Sequence, residues 1–529
     1  MALEATALPR RRPRISLTGA LAGLAGVMAI LPLIGVVLAA LPGETADIAA
    51  RDIWRYARTS AWLALFVGLA TGVPGSLAAW LVVMYRFPGR RFFAWALALP
   101  LAAPAFALAY AYADLFDAAG LLRMWLRAEW GVDLPVNMRS MGGAVFVLSC
   151  AFYPYVYLAM RAAFLNQSVN LLEVARNLGC NGWQAFRRVA LPLARPSLAA
   201  GMALAVMETL ADYGAVQFLS VQTLTTGVVR AWSVYGSTTS AARFALPLLA
   251  AAALLLWIER QGRQGKSHES GRARWRALEA TPLSGMRGWA AAGFCLALLT
   301  AGLLLPVGWL LWRALDVQPD WPRLWLAGQH SLALGIAGAL VTVTLATALA
   351  IGSRTWPAAA RLASLGYATP GAVMAIGLLA PAGIIWNLFP GSGWGIGLIL
   401  LVYAYAARLM AAALEPIDAG LTRVTPSMLH AARTLGRTET GAAVAVQLPV
   451  ARGAMLTAAL IVFIDILKEL PATLILRPFN FDTLAVIANN YALDERLGQA
   501  GPPSILVIAL ALPAVMWLTR KIALSRPGA

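Results

Sequence analysis

The sequence predicts an all-α, polytopic membrane protein of about twelve transmembrane helices, built as two tandem six-helix halves. Three observations predict it. The 529 residues are 60% hydrophobic and only 12% charged, with mean hydropathy +0.70, too apolar for a soluble domain. The apolar residues fall in runs, and a bilayer core of roughly 30 Å takes about 20 residues of helix. One polar pattern recurs 257 positions apart, Leu172 to Arg195 and Leu429 to Arg452, ungapped and identical at 11 of 24 positions.

In chain order the runs lie near 17–41, 60–84, 92–113, 141–163, 197–219 and 243–259. Six more follow near 289–312, 331–353, 362–388, 395–414, 453–476 and 503–519. Positive charge orients them. Arg10, Arg11, Arg12 and Arg14 precede the first run, which at this length is too long for a cleaved leader. Arg86, Arg90 and Arg91 fill the second loop, five arginines face Glu173 over 161–195, and Arg520, Lys521 and Arg526 lie in the tail. The alternate loops are balanced or acidic. Both termini are therefore expected in the cytoplasm. The net charge of +18 reads as membrane orientation, with lipid as the surrounding partner and no nucleic-acid partner expected.

The duplication defines the domains: a first half over 1–258, a basic linker over 259–288 and a second half over 289–529. Pro104 to Tyr110 resembles Pro370 to Ile376, Glu208 aligns with Asp465, Asp212 with Glu469, and Thr226 with Thr483. The linker contains GRQGKS, but a phosphate-binding loop would need glycine at Arg260, so no nucleotide site is expected. Cys150, Cys180 and Cys295 are isolated and His268, His330 and His430 scattered, so no metal centre is expected.

The repeated segment, within 166–195 and 423–452, reads as a helix, a turn and a second helix. Ser168 and Thr425 can cap the first helix, the latter with Pro426 in its first turn. Gly179 and Gly436 suit a left-handed C-terminal cap. Leu191-Pro192 and Leu448-Pro449 are expected to stop the second helix, with Arg195 and Arg452 snorkelling beyond it.

Here the chain resembles a known family. Glu173, Ala175, Gly179, Leu191 and Pro192, then His430, Ala432, Gly436, Leu448 and Pro449, follow the E-A-A-x3-G-x9-I-x-L-P signature of ABC importer permeases. KELPATLILRP, from Lys468, is similar to the fused ferric iron permeases of that class. The resemblance implies a type I permease fold with the repeated segments as coupling loops. It implies two copies of a separate ATPase carrying ATP and Mg, a periplasmic substrate-binding protein, a bacterial inner-membrane location and Fe3+ as cargo. No cofactor is implied for this chain itself. His430 departs from the pattern, which wants Glu, so an acidic ATPase contact is expected only in the first half. An aminophosphonate, polyamine or thiamine is an alternative cargo within the class.

Glu208 and Asp212 lie four apart inside one apolar run, and Asp465, Lys468 and Glu469 lie inside its duplicate. Ionisable groups within the bilayer cost several kcal/mol unless paired or wetted. Two-fold pseudosymmetry would bring the four carboxylates to a shared axis. They are then either ligands on a cation path or packing and gating groups that cap helix ends. Tyr110, Tyr112 and Asp114 are expected along the route or as interfacial anchors, with Pro100, Pro104, Pro370 and Pro381 as kinks. An ion-coupled secondary transporter also carries six-helix repeats and intramembrane carboxylates, but needs no duplicated docking elbow.

Overall fold

The structure, a computed structural model, describes residues 17–41, 50–117, 120–133, 135–166, 179–263, 280–352, 369–389, 393–524 and the single positions 359, 363, 366 and 391. Glu173, Ala175, Ser168 and most of the linker lie outside the described residues.

Among the described residues the fold is all-α apart from one two-residue ladder. The first half contains α1 (Leu17–Ala39), α2 (Ala50–Met84), α3 (Arg90–Ala96), α4 (Ala105–Phe116), α5 (Leu121–Trp130) and α6 (Met141–Asn166). It continues with α7 (Gly182–Ala211), α8 (Gly214–Phe218), α9 (Leu224–Ser233) and α10 (Thr238–Arg263). The second half contains α11 (Met286–Leu315), α12 (Trp321–Gly352), α13 (Gly371–Leu388), α14 (Gly393–Leu421) and α15 (Pro426–Thr434). Then come α16 (Thr440–Leu467), α17 (Pro471–Leu476), α18 (Leu484–Leu493) and α19 (Leu497–Leu524). Among the described residues eleven helical stretches are long and apolar enough to span a membrane, or twelve with the bent pair Gly371–Leu379 and Pro381–Leu388.

Three expected spans are built differently. The run 92–113 is α3, a 3-10 turn at Leu99–Ala102 and α4, because Pro100 and Pro104 interrupt it. Pro104 and Pro370 do not kink helices; each stands extended as the residue before α4 and α13 (ψ 142° and 146°). Pro381 does sit at the 42° bend of α13. The runs 197–219 and 453–476 each break, after Ala211 and after Leu467, and resume as the short α8 and α17.

Pro192 and Pro449 do not end a helix. Each follows a five-residue π turn, Phe186–Ala190 or Ala443–Gln447, in which the Leu191 or Leu448 N–H reaches back five residues to Phe186 or Ala443. The same device, Thr300–Leu304, precedes Leu305-Pro306 in α11. A proline ring in a regular α-helix strikes the carbonyl four residues back. Widening the preceding turn moves that carbonyl aside, and the helix runs on.

Each half has a three-helix core, α2, α6 and α7 in the first and α12, α14 and α16 in the second. The halves are not separate bodies. The first helix of each crosses to the other: α1 packs chiefly on α12 and α13, and α11 packs on α4 and the Leu99–Ala102 turn as well as on α19. At the α1–α13 crossing a Cβ on Gly35 would lie 1.9 Å from the Gly377 carbonyl oxygen, and one on Gly377 would lie 1.9 Å from that of Pro32. Only glycine permits that approach. At the α11 crossing a Cβ on Gly302 would meet Pro100 at 2.8 Å and the Cys150 carbonyl at 2.9 Å.

Direct contacts sort the loops into two faces. Tyr85-Arg86 pairs in parallel with Thr281-Pro282, which pins the linker's end to the second loop. A Cβ on Gly182, at the first elbow, would meet the Tyr85 hydroxyl. Arg520 lies 4.7 Å over the Trp95 ring, and Lys521 Nζ donates to the Gly453 carbonyl at 3.3 Å. The second loop, the linker's end, the first elbow, the α16 entry and the C-terminal helix end therefore share one face. On the opposite face Arg139 Nη1 and Nη2 donate to Glu495 Oε1 and Oε2 at 2.6 and 2.7 Å, joining the halves.

Candidate functional site

The two helix breaks meet at a cavity of about 70 Å³ between the halves. Glu208, Asp212, Asp465, Lys468 and Glu469 all line it, so the sequence-predicted intramembrane charges are brought together. The start of α4 (Pro104, Phe106), α6 (Phe152, Tyr155) and α14 (Arg408) complete the wall.

Local structure explains why the carboxylates stand at breaks. The Asp212 carboxylate accepts the Ala215 and Val216 N–H groups at 3.0 and 3.1 Å, capping α8. Its repeat partner Glu469 accepts the Ala472 N–H at 3.3 Å, capping α17. The capping reading of these two acids is thus visible in the geometry. Lys468 Nζ lies 2.9 Å from Asp465 Oδ1. Glu469 is buried and ion-paired with Arg408, and a Cβ on Gly371 would collide with its carboxylate. Glu208 lines the cavity near Arg408 and Lys468, and its backbone carbonyl accepts the Asp212 N–H at 2.9 Å. No three His, Cys, Asp or Glu side chains among the described residues converge as ligands of one ion would.

Sequence reasoning missed Arg408. The signal was present, since an arginine inside the apolar run LVYAYAARLM is as costly as the acids it pairs with. The 257-residue register places Ala151 and Ala211 opposite Arg408 and Lys468, and both alanines also line the cavity. The positive charge is confined to the second half.

Beyond the breaks the register slips by three. Thr223 and Thr483, not Thr226 and Thr483, are the equivalent N-caps of α9 and α18, and Ser220 and Asn480 are the matching left-handed turn residues (φ 60° and 61°). The equivalence extends to the caps' supports, because Ser60 accepts the Leu224 N–H and Ser331 the Leu484 N–H.

Tyr110, Tyr112 and Asp114 do not line the cavity. They tie the halves together. Tyr110 is buried with its hydroxyl 3.5 Å from Asn489 Oδ1, and Tyr112 donates to the Ala301 carbonyl at 2.6 Å. Asp114 accepts from Trp309 Nε1 at 2.9 Å and Arg313 Nε at 2.7 Å. All three side chains fix crossings that the sequence alone does not show.

At the second elbow, α15 ends in a Schellman cap. Gly436 (φ +80°) donates to the Arg433 carbonyl at 3.0 Å, and Arg437 donates to that of Ala432 at 3.1 Å. Gly179 has the same conformation, φ +81°. Pro426 opens α15 as expected, but the Thr425 hydroxyl bonds Ser427 Oγ at 2.8 Å and caps no helix amide. Ala432 is buried against the body while His430 is exposed and Leu435 is 84% exposed. The elbow therefore presents a rigid outer surface with an apolar tip. After it, Leu448 and Pro449 lie within α16, as Leu191 and Pro192 lie within α7.

A duplicated helical bundle with interlocked halves, helix breaks at a central cavity and paired elbows on one face defines a polytopic membrane subunit, and the chain is similar to the permeases of ABC importers. Residues 72–261 match the family of the binding-protein-dependent transport system inner membrane component. The chain is 25% identical over 451 residues to the Fe(3+)-transport system permease protein FbpB 2 of Haemophilus influenzae, covering 82% of this chain and 83% of that one. It is 32% identical over 157 residues to the sulfate transport system permease protein CysT of Escherichia coli, 30% of this chain and 55% of that one. Against the molybdenum transport system permease protein ModB of Escherichia coli the identity is 28% over 200 residues, 36% of this chain and 86% of that one.

Proposed function

We propose that this permease carries ferric iron across the bacterial inner membrane, driven by two copies of an ATPase docked at the two elbows, with both termini in the cytoplasm. The observation that carries the cargo reading is the charge of the cavity: four carboxylates against two cations, a net negative lining. Hard oxygen donors suit a hard trivalent cation. The shared basic face, with Arg86, Arg90 and Arg91 beside the first elbow, supports placing the elbows inside. Glu173, Ala175 and Gly179, with His430, Ala432 and Gly436, would shape the two docking surfaces, and hydrolysis of ATP would take place on the partner.

Sulfate and molybdate permeases among the relatives favour a second reading, an oxyanion cargo held by Arg408 and Lys468. Both cations are already committed to carboxylates, so an oxyanion would face two further acids. The test is uptake by vesicles containing permease, ATPase and binding protein. ATP-dependent accumulation of labelled iron, uncompeted by sulfate or molybdate, is expected. Accumulation of either oxyanion instead overturns the iron reading, and uptake driven by a proton gradient without ATP would point to a secondary transporter.

A further inference from the structure

The cavity holds its two signs of charge asymmetrically. Arg408 pairs with Glu469 and Lys468 with Asp465, all four from the second half. The repeat places alanines opposite both cations, so Glu208 and Asp212 have no counterpart pairing from the first half. Asp212 already spends one oxygen on two backbone N–H groups. With no cation beside them, four carboxylates lining one cavity of about 70 Å³ would attract a trivalent cation strongly by charge alone. Conduction instead requires a site strong enough to enter and weak enough to leave.

We propose that Arg408 and Lys468 are tethered counter-ions that keep this cavity from trapping a multivalent cation. They occupy the second-half carboxylates, so a passing cation meets only Glu208 and the free oxygen of Asp212. The inference rests on the cation reading of the cargo. It assigns Arg408 a specificity role, exercised through Glu469 rather than by touching the cargo.

Terbium(III), a hard trivalent cation whose luminescence reports binding, tests this on purified full-length permease. Arg408→Gln should retain terbium at least about tenfold more tightly than the unaltered protein, and its iron uptake should slow. Arg408→Lys, which keeps the charge, should restore weak retention. Adding Glu208→Gln to Arg408→Gln should remove the gain, which a merely structural defect would not do. Equal terbium affinity of Arg408→Gln and the unaltered permease overturns the proposal. Gain in Arg408→Gln that Glu208→Gln does not reverse also overturns it. If iron uptake by the unaltered permease stands while these outcomes fail, only the counter-ion role is lost. If the unaltered vesicles import an oxyanion, the cation reading falls and the counter-ion role falls with it.

Discussion

Replacing Gly436 tests the elbow as a docking element, because its cost can be separated from any steric effect. A Cβ built on Gly436 or Gly179 meets nothing within 4 Å. A substitution therefore clashes with no neighbour and pays only for the left-handed backbone at φ +80° or +81°. For an L-residue that is about 1–2 kcal/mol, less for Asn, and more for a β-branched side chain. The elbow has little to offset it. The helix α15 is nine residues long, and Ala432 is its one buried residue. Loss of about 1–2 kcal/mol would reduce the formed elbow roughly 5- to 30-fold, and ATPase affinity should fall with it. Binding of the ATPase to nanodisc-held permease should weaken in the order Asn, Ala, Val at position 436, with insertion and thermal stability of the membrane body unchanged. If Gly436→Val bound the ATPase as tightly as the unaltered chain, the elbow would not be the dock. If Ala and Asn weakened it equally, backbone conformation would not be the cause.

Three further outcomes follow from the geometry. Asp212→Asn keeps an acceptor for the Ala215 and Val216 amides and loses only charge, so uptake should fall with no change in melting temperature. Asp212→Ala should lower both, the cap contributing about 1 kcal/mol; identical melting of Ala and Asn variants would deny the cap. Gly377→Val drives its side chain into the Pro32 carbonyl, and overpacking of this kind costs about 1–3 kcal/mol or more. Limited proteolysis should then release α1 from α13, and a protected α1 would count against the interlock. On the face opposite the elbows, hydrogen bonds from Arg139 hold the Glu495 carboxyl below the usual glutamate range. Its contribution to joining the halves is therefore complete above the ordinary pKa of about 4.3 and is lost as pH falls through the lower folded value. Comparing melting temperatures of unaltered and Arg139→Gln protein from pH 7 down should show the gap narrowing in acid, and a constant gap would remove Glu495 from the clamp.

Much of this was legible because membranes impose strong constraints. Hydrophobic length located nearly every span, and an ionisable residue such as Asp212 or Glu469 inside one announced a site. Gly436 gave its conformation away through position, since a glycine after a short amphipathic helix has few other reasons to be there, and Gly179 holds the matching place in the repeat. Proline misled. In Leu191-Pro192 and Leu448-Pro449 it signals a widened turn inside a continuing helix, and no local rule separates that from a stop. Long-range exchange was also invisible: nothing near Gly35 says that its neighbour is Gly377, more than 300 residues away. Arg408 was overlooked because the duplicated segments drew the eye to residues with a partner in the repeat, and its counterpart is an alanine.

The continued helices bear on how force travels. Had Pro449 ended a helix, the elbow and the cavity would be joined by a hinge, and motion at one would be dissipated before reaching the other. Instead α16 runs unbroken from Thr440 beside the elbow to Leu467 beside Lys468, a rod of about 40 Å at 1.5 Å per residue. In the first half α7 runs likewise from Gly182 to Ala211, next to Asp212. Each elbow is thus one rigid element away from the charges at the helix breaks. The π turns at Phe186–Ala190 and Ala443–Gln447 sit at the elbow end of each rod, where weaker hydrogen-bond geometry allows a change of angle without unfolding. A pull on the elbows would tilt two rods whose far ends carry Asp212 and Glu469, and Arg408, on the separate helix α14, would resist it through its ion pair. Loss of Arg408 should therefore loosen the second rod more than the first.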